Sequence, residues 1–238
     1  MTLMYRAYWG LKEKPFQNTS DPRFLCLSEQ HEEALTRLKY AVEGGMACAL
    51  LTGVFGSGKT VLAQALLHGL GRDKYTSAFI FNPQMTHVEL LQEIVYQLGV
   101  HDRVPEDKPS ILHRLTEILN DSHSEGRHTV IMVDEAHLIE DRSILEELRL
   151  LLNFQKWDRF LLTLVLIGQP DLKEKILHLK AFEQRISLRY HLTGLKPEET
   201  KTYIRHRLKV AGASREIFAE DTYQSIHEST GGIPRRIN

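Results

Sequence analysis

The sequence predicts a three-layer α/β fold, a parallel sheet between two helix layers, followed by a small α-helical appendage. Short β-rich runs that are apolar on both faces alternate with longer segments of helical period, which is the pattern of a buried parallel sheet. After Leu195 the strand-like runs stop and only helical segments follow. The length of 238 residues suits one core domain with an addition, because domains run to roughly 100–200 residues.

Taken in order, Ser28 to Gly44 is a helix with Leu35, Leu38 and Val42 on one face and a Gly44-Gly45 stop. Ala47 to Thr52 is a buried strand. A glycine-rich turn and an apolar helix holding Val61, Leu62, Ala65 and Leu66 come next. Ser77 to Phe81 is a second strand, ended by Asn82-Pro83. Thr86 with Glu89 three residues on forms a capping box, and Leu91, Val95 and Leu98 recur at helical spacing. Pro109 opens another helix with Ile111, Leu115 and Ile118 inward. Thr129 to Val133 is a strand, Asp141 begins a helix, and Phe160 to Ile167 is a further strand. The core closes near Tyr190 to Leu192. In the appendage, Pro197 to Val210 is a helix, Asp221 caps a second that runs to Ser229, and Gly231-Gly232-Ile233-Pro234 opens a third. That segment reaches Asn238 in mid-helix, which predicts that the natural chain continues.

The composition narrows the function classes. With 30 Lys+Arg against 31 Asp+Glu, the balance gives no sign of a globally basic nucleic-acid or membrane-surface protein. Cys26 and Cys48 make no disulfide framework, and the twelve histidines include no HExxH or zinc-type spacing. The longest apolar run falls well short of a membrane span, and no leader-like N-terminus is present. A reducing, cytoplasmic setting is the expectation.

The chemistry is concentrated in a few segments. Gly53-Val54-Phe55-Gly56-Ser57-Gly58-Lys59-Thr60 fits GxxxxGK[ST] between a predicted strand and a predicted helix. In such a loop successive backbone N–H groups converge on phosphates, the lysine reaches the β- and γ-phosphates, and the threonine hydroxyl holds Mg²⁺. The strand Thr129 to Val133 runs into Asp134-Glu135-Ala136-His137. An acid at that strand end is placed for Mg²⁺, so Asp134 takes the metal role, and Glu135 is placed to orient or deprotonate a water. Gln169, after the strand ending in Gly168, is a candidate γ-phosphate sensor. Arg185 and Arg189 flank the last core strand and could serve a neighbouring subunit's site. Of Arg235 and Arg236 at the start of the last helix, Arg235 is the better candidate to report on the phosphates.

Together these motifs resemble those of the AAA+ ATPases, a branch of the P-loop NTPases. Within that class the chain closely resembles the secretion-assembly ATPases of the general secretion pathway A (ExeA) type. The resemblance is carried by Tyr8-Trp9-Gly10-Leu11-Lys12-Glu13-Lys14-Pro15-Phe16, Asp21-Pro22-Arg23-Phe24, the Ser28-Glu29-Gln30-His31 helix opening, the phosphate loop, Asp134-Glu135-Ala136-His137, Gly168-Gln169-Pro170, Gln184-Arg185-Ile186 and Gly232-Ile233-Pro234-Arg235-Arg236. It implies a nucleotide-binding core over residues 1–193 and a lid over 194–238. It also implies ATP and Mg²⁺ as ligands. Gly53, Gly56, Ser57, Gly58, Lys59, Thr60 and Val61 would hold the nucleotide, with Thr60 and Asp134 at the metal. Lys59, Glu135, Gln169 as sensor 1 and Arg185 as arginine finger would be catalytic. Arg235 would be sensor 2, and Phe16 with the Asp21 to Phe24 segment would lie near the adenine.

Proteins of that type continue into a transmembrane helix and a peptidoglycan-binding domain, neither of which is in this chain. The implied activity is ATP hydrolysis in a ring or helical oligomer, joined through Arg185 and Arg189, that drives assembly of a secretin or similar envelope complex. The main rival is a transposition-type regulator that forms filaments on DNA. Only Arg205-His206-Arg207 with Lys209 offers a basic cluster for it, and that cluster reads as a solvated helix face. A lesser alternative is a non-hydrolysing nucleotide switch, against which Glu135 argues. The helicase-like Asp-Glu-Ala-His spelling is set aside, because a second motor domain does not fit in this length.

Overall fold

A computed structural model describes residues 4–18, 22–157 and 159–238. The element β1 (Cys48–Gly53) leads through the phosphate loop to α3 (Lys59–Gly69), and α2 (Glu29–Glu43) precedes it. Then come β2 (Tyr75–Ile80), α4 (His87–Gln97), α5 (Lys108–Ser124), β3 (His128–Val133) and α6 (Arg142–Leu151). A small antiparallel hairpin of β4 (Gln155–Lys156) and β5 (Arg159–Phe160) precedes β6 (Leu162–Gly168). After α7 (Asp171–Leu177) and α8 (Lys180–Glu183), β7 (Ile186–Leu192) closes the sheet. Its order is β2-β3-β6-β1-β7, with every pairing parallel.

The central strands β1 and β6 are buried at every position, and alternate residues feed opposite layers. Leu50 joins Leu91, Ile94, Ile111, Leu115 and Phe182 on the α4–α5–α6 side. Leu51 joins Leu38, Val42, Leu62 and Leu66 on the α2–α3 side. The capping box forms as the sequence predicts: Glu89 N–H donates to Thr86 Oγ1 and Thr86 N–H to Glu89 Oε2. Because the strands are parallel, their C-terminal ends open on one edge, where ligands bind in open α/β sheets. Gly53, Asp134 and Gln169 come to that edge at the ends of β1, β3 and β6.

Beyond β7, α9 (Pro197–Val210), α10 (Glu220–Thr230) and α11 (Pro234–Ile237) share a separate core of Leu195, Tyr203, Ile204, Leu208 and Tyr223. Of the N-terminal segment, Leu11, Lys12, Pro15, Gln17 and Phe24 contact this helical part. After α1 (Met4–Trp9), Leu11 and Phe24 bury against Ala211, and Lys12 N–H donates to Ala211 O at 2.8 Å. Arg207 Nε donates to Pro15 O and Nη2 to Gln17 O, each at 2.6 Å.

Three expectations are corrected. Asp221 lies inside the first turn of α10, whose N-cap is Ala219, so it stands near the positive end of the helix without capping it. Phe160 belongs to the hairpin, and the buried strand begins only at Leu162. Arg207 is buried at 5% exposure, with its guanidinium over Phe24, and is no part of a solvated basic face. Among the described residues no helix is long and apolar enough to cross a membrane.

Candidate functional site

The loop between β1 and α3 adopts its shape because two of its glycines do what other residues rarely can. Gly56 and Gly58 have φ of 83° and 97°. A Cβ at Gly56 would lie 2.5 Å from Arg235 Cβ, and one at Gly58 would lie 3.0 Å from His31 Nε2. The loop is also held from below. Ser57 O accepts from His31 Nε2 at 2.8 Å, and a carbonyl only accepts, so the imidazole proton is on Nε2 and Nδ1 accepts from Ser28 Oγ at 2.7 Å. Burial keeps the His31 imidazole below its usual pKa, with the Ser57 hydrogen bond opposing. His31, named in the sequence only as part of a helix opening, is a loop support; its place three residues after the Ser28 N-cap is the signal that it left.

Lys59 Nζ donates to Gly53 O at 2.8 Å and Val54 O at 3.1 Å, so the ammonium is folded over the loop's own carbonyls. Burial lowers its pKa, and the Glu135 and Asp134 carboxylates push back. Thr60 Oγ1 donates to Asp134 Oδ2 at 2.6 Å, while Asp134 Oδ1 accepts from Glu135 N–H at 2.8 Å. Asp134 is therefore a buried carboxylate with a partner on each oxygen. Glu135 holds a left-handed backbone at φ 49°, sparsely populated for a residue with a side chain, as strained positions at functional sites often are.

A cleft of about 310 Å³ opens over the loop. Gly56, Gly58, Lys59, Thr60, Val61 and Glu135 form its core side. Tyr203, Arg207, Pro234, Arg235 and Asn238 form the helical side, with Asn18 from the N-terminal segment. Arg235 stacks its guanidinium 4.5 Å from the Phe55 ring centroid, within cation–π reach. Arg236 is not in the lining. Asn18 and Tyr203, joined through Asn238 by Asn238 Nδ2 to Asn18 Oδ1 and Tyr203 OH to Asn238 Oδ1, escaped the sequence reading. They belong to segments far apart in the chain and match no motif.

Several sequence-predicted residues stand outside this lining. Phe16 packs in the helical core, its ring 6.5 Å from that of Phe218. Phe24 lies under Arg207, and Asp21 falls outside the described residues. Gln169 sits at the strand edge with its amide on His137, Nε2 to Nε2 at 2.7 Å. Arg185 makes a 3.4 Å contact to Asn153 Oδ1, whereas Arg189 is ion-paired with Glu183 at 2.6 Å. Neither arginine reaches the chain's own cleft.

Hard oxygens from a hydroxyl and a carboxylate, 2.6 Å apart, suit Mg²⁺, which usually takes one or two protein oxygens and completes its shell with phosphate and water. Among the described residues no group of three or more His, Cys, Asp or Glu gathers as an all-protein metal site.

A parallel sheet of this order with a glycine-rich phosphate loop at the end of β1 defines a P-loop nucleotide-binding protein. A family model described as an AAA domain matches residues 42–176, and the chain belongs to that family. It is 39% identical over 242 residues to General secretion pathway protein A of Aeromonas hydrophila, covering 99% of this chain and 43% of that protein. Among solved structures it is similar to the ORC2 protein of Aeropyrum pernix, at 19% identity and a TM-score of 0.67 over 95% of this chain. It is also similar to Cdc6p of Pyrobaculum aerophilum, at 21% identity and a TM-score of 0.67 over 91% of this chain. The chain spans 63% of each of those two chains, and at these identities the likeness is one of fold.

Proposed function

We propose that the protein is a Mg²⁺-dependent ATPase of AAA+ type, with residues 1–193 as nucleotide-binding core and 194–238 as lid. The observation that carries this reading is the hydrogen bond from Thr60, which lines the cleft with Lys59 and Glu135, to the buried carboxylate of Asp134 just behind it. The loop amides and Lys59 would bind the phosphates. Thr60 and Asp134 would hold Mg²⁺, which when bound neutralises phosphate charge. Glu135, with 35% of its side chain exposed, would orient the attacking water and accept its proton. Gln169 would meet the γ-phosphate side and Arg235 would tie the lid to it. Arg185 would complete the site of a neighbouring subunit in an oligomer.

The similarity to a general secretion pathway protein supports a cytoplasmic role, or one at the cytoplasmic face of a membrane, in assembling or remodelling a secretion complex. A DNA filament is less favoured, because Arg205 is paired with Glu216 and Arg207 is buried. The test is ATP turnover with and without Mg²⁺ in wild type, Lys59→Ala and Glu135→Gln. Lys59→Ala should lose nucleotide binding, and Glu135→Gln should bind ATP without turning it over. Normal turnover in Glu135→Gln would remove the assignment.

A further inference from the structure

The imidazole of His137 stands between the two groups that the proposed hydrolysis uses on either side of the water. Its Nε2 is 2.7 Å from the Gln169 amide nitrogen, and its Nδ1 is 3.3 Å from Glu135 Oε2. These two contacts fix the proton. An amide nitrogen only donates, so Nε2 accepts and the hydrogen is on Nδ1, the nitrogen nearer the Glu135 carboxylate. The opposite amide orientation would put a bare Nδ1 lone pair against that carboxylate, which disfavours it.

We propose that His137 is a positioning residue for ATP hydrolysis: it couples the strand-end amide of Gln169 to the water-activating carboxylate of Glu135. The proposal rests on the ATPase reading above and adds to it how the carboxylate is aimed. The side chain is only 8% exposed, and buried polar atoms are ordinarily paired. Yet among the described residues Nδ1 has no hydrogen bond of good geometry, and Glu135 Oε2 stands 3.3 Å from it, within reach of a small adjustment of the carboxylate. A histidine serving only the core would have both nitrogens satisfied there.

The surroundings hold the ring in place from the backbone side. Lys175 Nζ, from α7, donates to His137 O and, at 3.0 Å, to Ile139 O. A Cβ at Gly168 would lie 3.1 Å from His137 N, so the end of β6 presses directly on this turn. Glu135 precedes it with its left-handed backbone. A carboxylate on such a turn has two rotatable bonds before its carbon, and a donor on one side restricts where the oxygens point. Gln169 keeps a second amide hydrogen for a phosphate oxygen. A change at the amide is thereby passed through the imidazole to the base.

The experiment compares wild type with His137→Ala, His137→Asn and His137→Gln, reading ATP turnover and the affinity for a fluorescent ATP analogue. Asparagine can place an N–H near the Nδ1 position, whereas glutamine places its amide near Nε2. His137→Ala should lower kcat by about 30-fold, a part of the 10²–10⁴ that a positioned general base contributes. Affinity should stay within about twofold, because the imidazole makes no hydrogen bond to the phosphate loop, Lys59 or Thr60, and the one phosphate-facing group it touches, Gln169, keeps its second amide hydrogen. His137→Asn should recover to within about threefold of wild-type kcat, and His137→Gln should stay as slow as His137→Ala.

Wild-type kcat in His137→Ala overturns the proposal, and so does a His137→Asn variant as slow as His137→Ala with affinity intact. Should His137→Ala fail to fold, the Asn and Gln variants decide by the same ordering. A wild-type protein that binds ATP without turnover overturns the ATPase reading and this proposal together. Turnover that is lost in Glu135→Gln but indifferent to His137 overturns this proposal alone.

Discussion

Thr60 Oγ1 and Asp134 Oδ2 meet at 2.6 Å although 74 residues separate them, joining the first turn of α3 to the end of β3. Two consequences meet in this bond. It satisfies one oxygen of a buried carboxylate, and it brings together the two side chains that would hold Mg²⁺.

Thr60→Val keeps the shape and removes the hydroxyl. Asp134 then keeps only its Glu135 N–H partner, so stability without nucleotide should fall by about 1–2 kcal/mol in urea unfolding. Wild type should bind ATP more tightly with Mg²⁺ than with a chelator, and the variant should lose that difference. A Thr60→Val protein whose ATP affinity still rises with Mg²⁺ would show that Asp134 and the phosphates suffice without the hydroxyl.

Arg185 and Arg189 looked alike in the sequence, but the structure separates them. Arg189 is engaged by the Glu183 carboxylate and carbonyl, whereas among the described residues Arg185 has only the long contact to Asn153. Arg185→Ala should therefore lower turnover by about 10³-fold or more if its guanidinium completes a neighbour's site. Mixing Arg185→Ala with Lys59→Ala subunits should restore part of the activity, since each supplies what the other lacks. No recovery, under conditions where wild type assembles, counts against action between subunits.

What could be read from the sequence was what neighbours along the chain determine. The central strands β1 and β6 are largely apolar runs, the phosphate loop is eight consecutive residues, and Thr86 and Glu89 cap their helix within one turn. What stayed hidden depends on distant partners. Phe16 was expected near the adenine from the family resemblance alone, yet its surroundings are set by Phe218 and the helical core, some two hundred positions on. His137 was visible only as the last letter of a box, since its meaning comes from Gln169 at the end of another strand. Arg207 looked like surface charge because no local pattern announces two carbonyl partners near the N-terminus.

Arg207→Met tests that long-range clasp. The substitution keeps apolar bulk over Phe24 but leaves Pro15 O and Gln17 O without their donor, which should cost about 3 kcal/mol. Hydrogen exchange should show residues 4–18 losing protection first, with the amides of β1 and β6 unchanged. Arg207→Lys should rescue little, because an ammonium cannot reproduce the fork that reaches both carbonyls. Uniform loss of protection across the sheet would mean that the segment is not a separate clasp.

The end of the sheet away from the cleft supplies a pH dependence that nucleotide does not enter. His128, at the start of β3, donates from Nε2 to Thr163 Oγ1 at 2.8 Å, and Thr163 in turn donates to Met46 O at 2.7 Å. Burial, with a smaller contribution from nearby His123, pushes the His128 pKa down to about 4 from an ordinary 6.5. The unfolded chain thus takes up the proton at higher pH than the folded one. Stability from the neutral imidazole is complete above about pH 6.5 and is lost as pH falls toward 4, by up to about 3 kcal/mol. Urea unfolding at pH 7.5, 6.0 and 5.0 should show wild type weakening faster than His128→Gln, whose amide can keep the Thr163 contact without titrating. His31 and the carboxylates titrate in both proteins, so the difference between their slopes belongs to His128. Equal slopes would mean that the imidazole is hydrated in the folded state and contributes nothing to acid sensitivity.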